Sequence, residues 1–181
     1  MVLLSYIIID GTVFSVLTAL CALWHESWHL ITLYVMGKKM SSLYSGSIGI
    51  SLKTGLLGYR DEIKVCLAGP VASFAAAVLF FFVSRYAYSK EFVFLCVSNL
   101  ALFLLNTLPV YPLDAGRALF CALCLKYDTK KAAKIIKCIS YIFLLPLSCL
   151  SVIIFVESGF NLSLIVICIY LLLIVTGVIS L

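Results

Sequence analysis

The only two histidines of this chain, His25 and His29, stand four residues apart in the stretch His25-Glu26-Ser27-Trp28-His29. On a helix, positions i and i+4 share a face, so both imidazoles point the same way and can grip one metal ion. Glu26 is turned about 100° from His25, close enough to act on a water at that ion without being its ligand. The plain alternative is a pair of core histidines beside a hydrogen-bonded glutamate. Against it stands the setting, a long apolar run, because ionisable side chains at membrane depth are rare and usually functional.

A third ligand is offered far along the chain, in Asn106-Thr107-Leu108-Pro109-Val110-Tyr111-Pro112-Leu113-Asp114-Ala115-Gly116-Arg117. Two prolines, each removing a backbone donor, break a helix at Pro109 and let it resume near Leu113. Broken helices at membrane depth are tolerated where they line a cavity. Asp114 opens the resumed helix; taken alone it reads as an N-cap, and beside the histidine motif it reads as the missing carboxylate. Two imidazoles and one carboxylate, with a fourth position open, form a catalytic zinc set, one ion per chain. Glu26 is then the general base. Asn106, next to the break, either donates a hydrogen bond to a tetrahedral oxyanion or caps the end of the broken helix.

These groups must be positioned by membrane elements. Hydrophobic residues make up 64% of the 181 and charged ones 12%, with mean hydropathy +1.19, far from the soluble norm of about half apolar and a quarter charged. The expected fold is an all-α polytopic membrane protein in a single domain, 1–181, with about five transmembrane helices. They are placed at Thr12–Met36, Glu62–Tyr86, from Phe92 with its break at Pro109–Pro112, Ile135–Val156 and Phe160–Leu181. The stretch 1–9 is too short to span, and Glu157-Ser158-Gly159 reads as a turn. Ser47 to Lys53 alternates with a period of two, so a small membrane-associated β-strand region is expected near residues 44–58. Its edge could pair with an extended peptide. The eight cysteines lie mostly in apolar runs and read as packing, Cys121 and Cys124 included.

Basic residues are uneven, and Lys126, Lys130, Lys131, Lys134 and Lys137 mark a strongly basic loop between spans. Lys38, Lys39, Lys53, Arg60, Lys64, Lys126, Lys130, Lys131, Lys134 and Lys137 fall on one side of the expected spans, and Arg85 and Lys90 on the other. Positive-inside then puts the amino terminus outside and the carboxyl terminus in the cytoplasm. The net charge of +5 accordingly carries no message about nucleic acid. At 1.5 Å per residue, His25 lies about 16 Å from the cytoplasmic end of its helix and Asp114 about 18 Å from the lysine cluster. The two motifs sit at matching depth, as joint ligation requires.

Together, His25-Glu26-x-x-His29, Leu67-Ala68-Gly69-Pro70 and Asn106-x-x-Pro109-x-x-Pro112-Leu113-Asp114 resemble the site-2 protease family of intramembrane zinc metalloproteases, most nearly its small sporulation pro-sigma-factor processing type. The resemblance covers a catalytic core of about 11–126, with accessory helices at about 133–181 and neither a PDZ nor a CBS domain. It implies His25, His29 and Asp114 as zinc ligands, Glu26 as catalytic base, Asn106 as an aid to the transition state, and a strand region that guides substrate. It implies a multi-pass protein of a bacterial cell membrane, acting on a membrane-embedded or membrane-tethered protein. Regulation would come through a membrane partner, the substrate or self-association. The family usually reads Leu-Asp-Gly-Gly where this chain has Ala115, and Ser73 stands where many members have Asn. The competing class is a metal-ion carrier or sensor using the same ligands, though only one broken helix is found where transporters show symmetric pairs. A catalytically dead scaffold is argued against by Glu26.

Overall fold

The computed structural model describes residues 13–38, 44–46, 49–51, 57–87, 89–157 and 163–177. Six helices are formed among these: α1 (Val13–Val35), α2 (Tyr59–Ala87), α3 (Lys90–Thr107), α4 (Asp114–Cys124), α5 (Thr129–Glu157) and α6 (Ser163–Gly177). The backbone divides into two compact units, Met1–Asn106 and Thr107–Leu181.

In the first unit, α1 closes at Gly37, whose φ of +65° is the left-handed conformation that glycine adopts freely. The amides of Gly37 and Lys38 return to the carbonyls of Tyr34 and Leu33 and satisfy the helix end. Helix α2 opens with Asp61 and Glu62 in its first turn, where negative charge suits the dipole, and Lys38 reaches Asp61 at 3.5 Å. Pro70 lies inside α2, yet the helix runs on to Ala87. Val65, Gly69, Ala72, Ser73 and Ala76 are buried on α2 at three- and four-residue spacing, a face of mostly small residues against which another helix can come close. Helix α1 takes that place, with Trp24 Nε1 donating to the Ala72 carbonyl. Helix α3 joins α1 through Asn99, whose amide donates to Cys21 Sγ at 3.1 Å, and through the ring pair Phe14–Phe94.

In the second unit, the break expected at Pro109–Pro112 is present. Helix α4 starts at Asp114 with Leu113 as its extended N-cap residue, and the Tyr111–Pro112 peptide is cis. The segment between the helices is anchored by its own backbone and core. Val110 is fully buried with Leu144, Leu171 and Val175, and Tyr111 N–H donates to Ser140 Oγ on α5 at 3.0 Å. Gly116 packs against the same segment, because a Cβ there would run into the carbonyl of Val110 and the amide of Tyr111.

Three expectations are corrected. Only three described helices are long and apolar enough to cross a membrane, Tyr59–Ala87, Lys90–Thr107 and Thr129–Val156, rather than about five. Helix α1 has the length, at 23 residues, but His25, Glu26, Ser27 and His29 dilute its apolar character. The last helix is a shorter apolar one, Leu164–Gly177, and 178–181 lie outside the described residues. The membrane-associated β-strand region near 44–58 is not seen either. The described backbone there is two three-residue stretches, Tyr44–Gly46 and Gly49–Ser51, that pair only with each other, and α2 already begins at Tyr59. Glycines at the inner ends limit the pairing, and a two-stranded hairpin is marginal on its own. Ser47, Ile48 and 52–56 lie outside the described residues, as do the segment 1–9 and the turn at 158–159. Finally, the lysine cluster is not a loop. Lys130, Lys131, Lys134 and Lys137 ride on the first turns of α5, lysine being a good helix former.

Candidate metal centre

Helix α1 places His25 and His29 one turn apart, and helix α2 holds both rings from behind. His25 is buried, and its Nδ1 lies 2.9 Å from Ser73 Oγ. His29 Nδ1 donates to the Val65 carbonyl at 2.7 Å. With each Nδ1 engaged on α2, both Nε2 atoms turn toward one another and stand 3.3 Å apart. Gly69 lies between them on the α2 side. A Cβ at that position would fall 2.7 Å from His25 Nε2 and 2.6 Å from His29 Cε1, and nearer still to His29 Nε2. The Ala68-Gly69-Pro70 patch is therefore the wall of the histidine pair, and glycine is the residue that leaves room for it.

Asp114 is the first residue of α4 rather than its cap, a role that falls to Leu113. The capping alternative for Asp114 is set aside on that ground. His25 and His29 each offer one ligand nitrogen in the first unit, and Asp114 offers a carboxylate at the start of α4 in the second. Glu26 follows His25 on α1 and is exposed, so its carboxylate is not spent on core packing. Asn106 is not brought into a donor role here: its amide donates to the Leu102 carbonyl at 3.0 Å, one turn back on α3.

A tetrahedral zinc with Zn–N distances of about 2.0–2.1 Å holds two ligand nitrogens about 3.3–3.4 Å apart. The 3.3 Å between His25 Nε2 and His29 Nε2 is that separation, and His29, bonded through Nδ1–H to a carbonyl, in its neutral form carries its lone pair on Nε2. The residues present fit the ion. Ser73 and the Val65 carbonyl are the groups that sequence reasoning did not assign. The carbonyl has no residue-type signal at all. Ser73 could have been found from its place four residues after Gly69, on the same helix face.

No protein-family model matches the sequence. The chain is 30% identical over 131 residues to a zinc metalloprotease of Methanocaldococcus jannaschii, across 67% of this chain and 38% of that relative. It thus spans well under half the length of the curated protein that it matches. The backbone is similar to the solved structure of the site-2 protease from Methanocaldococcus jannaschii, with a TM-score of 0.65 and 23% identity, covering 94% of this chain and 81% of that one. The chain is thus similar in sequence to part of a zinc metalloprotease and shares the backbone fold of a site-2 protease.

Proposed function

We propose that the chain is an intramembrane zinc metalloendopeptidase that hydrolyses a peptide bond in or near a transmembrane segment of a membrane-bound protein. The observation that carries the reading is the His25–His29 pair on α1, whose Nε2 atoms stand 3.3 Å apart, with Glu26 next along the chain. The names of the two relatives, a zinc metalloprotease and a site-2 protease, support it.

His25, His29 and Asp114 would hold the ion, leaving its fourth position open. Zinc bound there would acidify a water and polarise a peptide carbonyl. The chain's own residues then do the rest. Glu26, one residue on from a ligand and not packed away, takes the proton of the attacking water at its carboxylate and returns it to the departing amine. Asn106 is the candidate donor to the oxyanion; one hydrogen of its amide goes to the Leu102 carbonyl, and the –NH2 carries a second. Three helices of sufficient length and hydropathy support a membrane setting, so the substrate helix has to unwind before its amide can enter. The lysines at the start of α5 support a cytoplasmic placement of that end.

The test is to purify the full chain in detergent, reconstitute it with a membrane-tethered candidate substrate, and measure cleavage and zinc content together. Glu26→Gln should abolish cleavage and leave zinc near one per chain, whereas His25→Ala or Asp114→Asn should lose zinc as well. Cleavage that survives Glu26→Gln would remove the assigned base. Zinc crossing vesicles without cleavage would favour a carrier.

A further inference from the structure

Helix α3 has one fully buried side chain in 18 residues, and it is polar: Asn99, 1% exposed. Its amide donates one hydrogen to Cys21 Sγ on α1 at 3.1 Å and the other to the Leu95 carbonyl, one turn back, at 2.9 Å. Its Oδ1 is buried with no hydrogen-bond partner. An unpaired buried acceptor lowers stability, so an apolar residue would serve packing better. What the asparagine supplies is direction. Acyl chains are as apolar as leucine, so hydrophobicity does not choose which face of a helix in lipid meets its neighbour, whereas a polar contact does. A single buried asparagine sets register in coiled coils in this way, at a cost in stability.

Two contacts give the direction of α3 along α1. Phe14 meets Phe94 with ring centroids 4.9 Å apart, and Cys21 meets Asn99, so the two helices run parallel. Seven residues beyond Cys21 is Trp28, inside the His25–His29 motif, and seven beyond Asn99 is Asn106. Both lie about 10 Å further along at 1.5 Å per residue. Seven residues fall only about 20° short of two turns, so Asn106 shares the face of α3 that Asn99 turns toward α1. Helix α2 gives the same level by another route. Ser73 faces His25, and its neighbour Phe74 meets Phe103, one turn before Asn106, at 5.0 Å between centroids.

We infer that Asn99 is a positioning residue: through Cys21 it pins the rotation and depth of α3 on α1, and so presents Asn106 at the level of Glu26 and the two histidines. The consequence for turnover rests on the function proposed above, in which Asn106 serves the oxyanion; the register does not. Asn99→Leu keeps the bulk and removes the pin. Cys21→Val removes its acceptor from the other side, and Cys21→Ser keeps one.

The experiment uses the full chain, reconstituted with the tethered substrate for turnover, and in detergent for melting, zinc content and 15N NMR of asparagine side-chain amides. The NMR spectrum is simple, because the chain has three asparagines, Asn99, Asn106 and Asn161. Asn99→Leu should melt no lower than wild type and keep its zinc. It should lower kcat about 10–100-fold with KM within a few-fold, the scale of a ~1 Å misplacement at the reacting centre. Its Asn106 amide signals should move while those of Asn161 stay. Cys21→Val should act alike, and it carries the test if Asn99→Leu does not fold; Cys21→Ser should keep kcat within a few-fold of wild type. Added to Asn106→Ala, Asn99→Leu should slow turnover little further, since residues acting through one contact are not additive. The pin is overturned if the Asn106 signals stay put in Asn99→Leu, or if the losses of the two asparagine variants multiply. It is also overturned if kcat falls only together with the melting temperature, or if Cys21→Ser is as slow as Cys21→Val. Should the wild type cleave nothing, or Asn106→Ala cleave at full rate, the functional reading of Asn106 falls, while its amide signals in Asn99→Leu still decide the register.

Discussion

The single added methyl of Gly69→Ala separates what holds the metal centre from what holds the fold. An ideal Cβ at position 69 would sit 2.7 Å from His25 Nε2 and 2.6 Å from His29 Cε1, where ordinary packing wants about 3.5 Å or more. The deficit is therefore about 0.8–0.9 Å by that standard. Neither ring can simply swing aside, since each is held through Nδ1 by Ser73 or by the Val65 carbonyl. Overpacking of this kind costs about 1–3 kcal/mol, which in a chain of this size lowers the melting temperature by about 2–4 °C per kcal/mol. The metal pays far more. Metal–ligand distances tolerate only about 0.2 Å, so the displacement takes at least one imidazole out of bonding range, and zinc should bind more than ~100-fold more weakly. The assay is chelator competition on the purified variant, with a thermal melt on the same sample. A folded Gly69→Ala protein that binds zinc within a few-fold of wild type would refute the claim that α2 walls the histidine pair.

The second glycine of note should behave in the opposite way. Gly116→Ala drives a Cβ into the backbone of Val110 and Tyr111, which cannot rotate away, so it should destabilise the chain by about 2–3 kcal/mol or more, at the top of the overpacking range, in a denaturation measurement. Ala115→Gly restores the Leu-Asp-Gly-Gly reading usual in the family that the sequence resembles and should leave zinc affinity unchanged while costing up to about 1 kcal/mol of stability, the helix-propensity difference. Ser140→Ala removes the acceptor of the Tyr111 N–H and should cost about 1–3 kcal/mol in denaturant unfolding. Asn106→Ala should lower the turnover rate about 10–1000-fold with zinc content intact if the residue serves the oxyanion. An unchanged rate would leave it as a helix-end residue bonded to Leu102.

How much of this could be read beforehand depended on whether the information lived in side-chain types or in backbone positions. The shared face of His25 and His29 was legible because helix periodicity alone decides that i and i+4 lie together. The helix start at Asp114 was legible because Pro109 and Pro112 force a restart. Ala115 is the departure from the usual Leu-Asp-Gly-Gly. It is Gly116 that touches the Val110 carbonyl, so the position under steric demand is the one that the chain keeps. The span count failed for a physical reason: His25, Glu26, Ser27 and His29 keep α1 out of the helices apolar enough to span, so a tally by hydropathy and a tally by motif disagree over the same turn.

The deeper gap concerns α2. A reader of the sequence sees in Ala68-Gly69-Pro70 a place where helices come close, but not what comes close. The answer depends on register, and register set Val65, Gly69 and Ser73 in a row opposite His25 and His29. Only one of those three contacts uses a side chain able to hydrogen-bond. Another uses a main-chain carbonyl, and the third uses the absence of any side chain. The ligands of such a centre therefore announce themselves by residue type, whereas the surface that orients them is written in spacing. This is why Gly69 and Ser73, rather than the histidines, are the positions at which substitution will show whether the centre is built in advance of its metal.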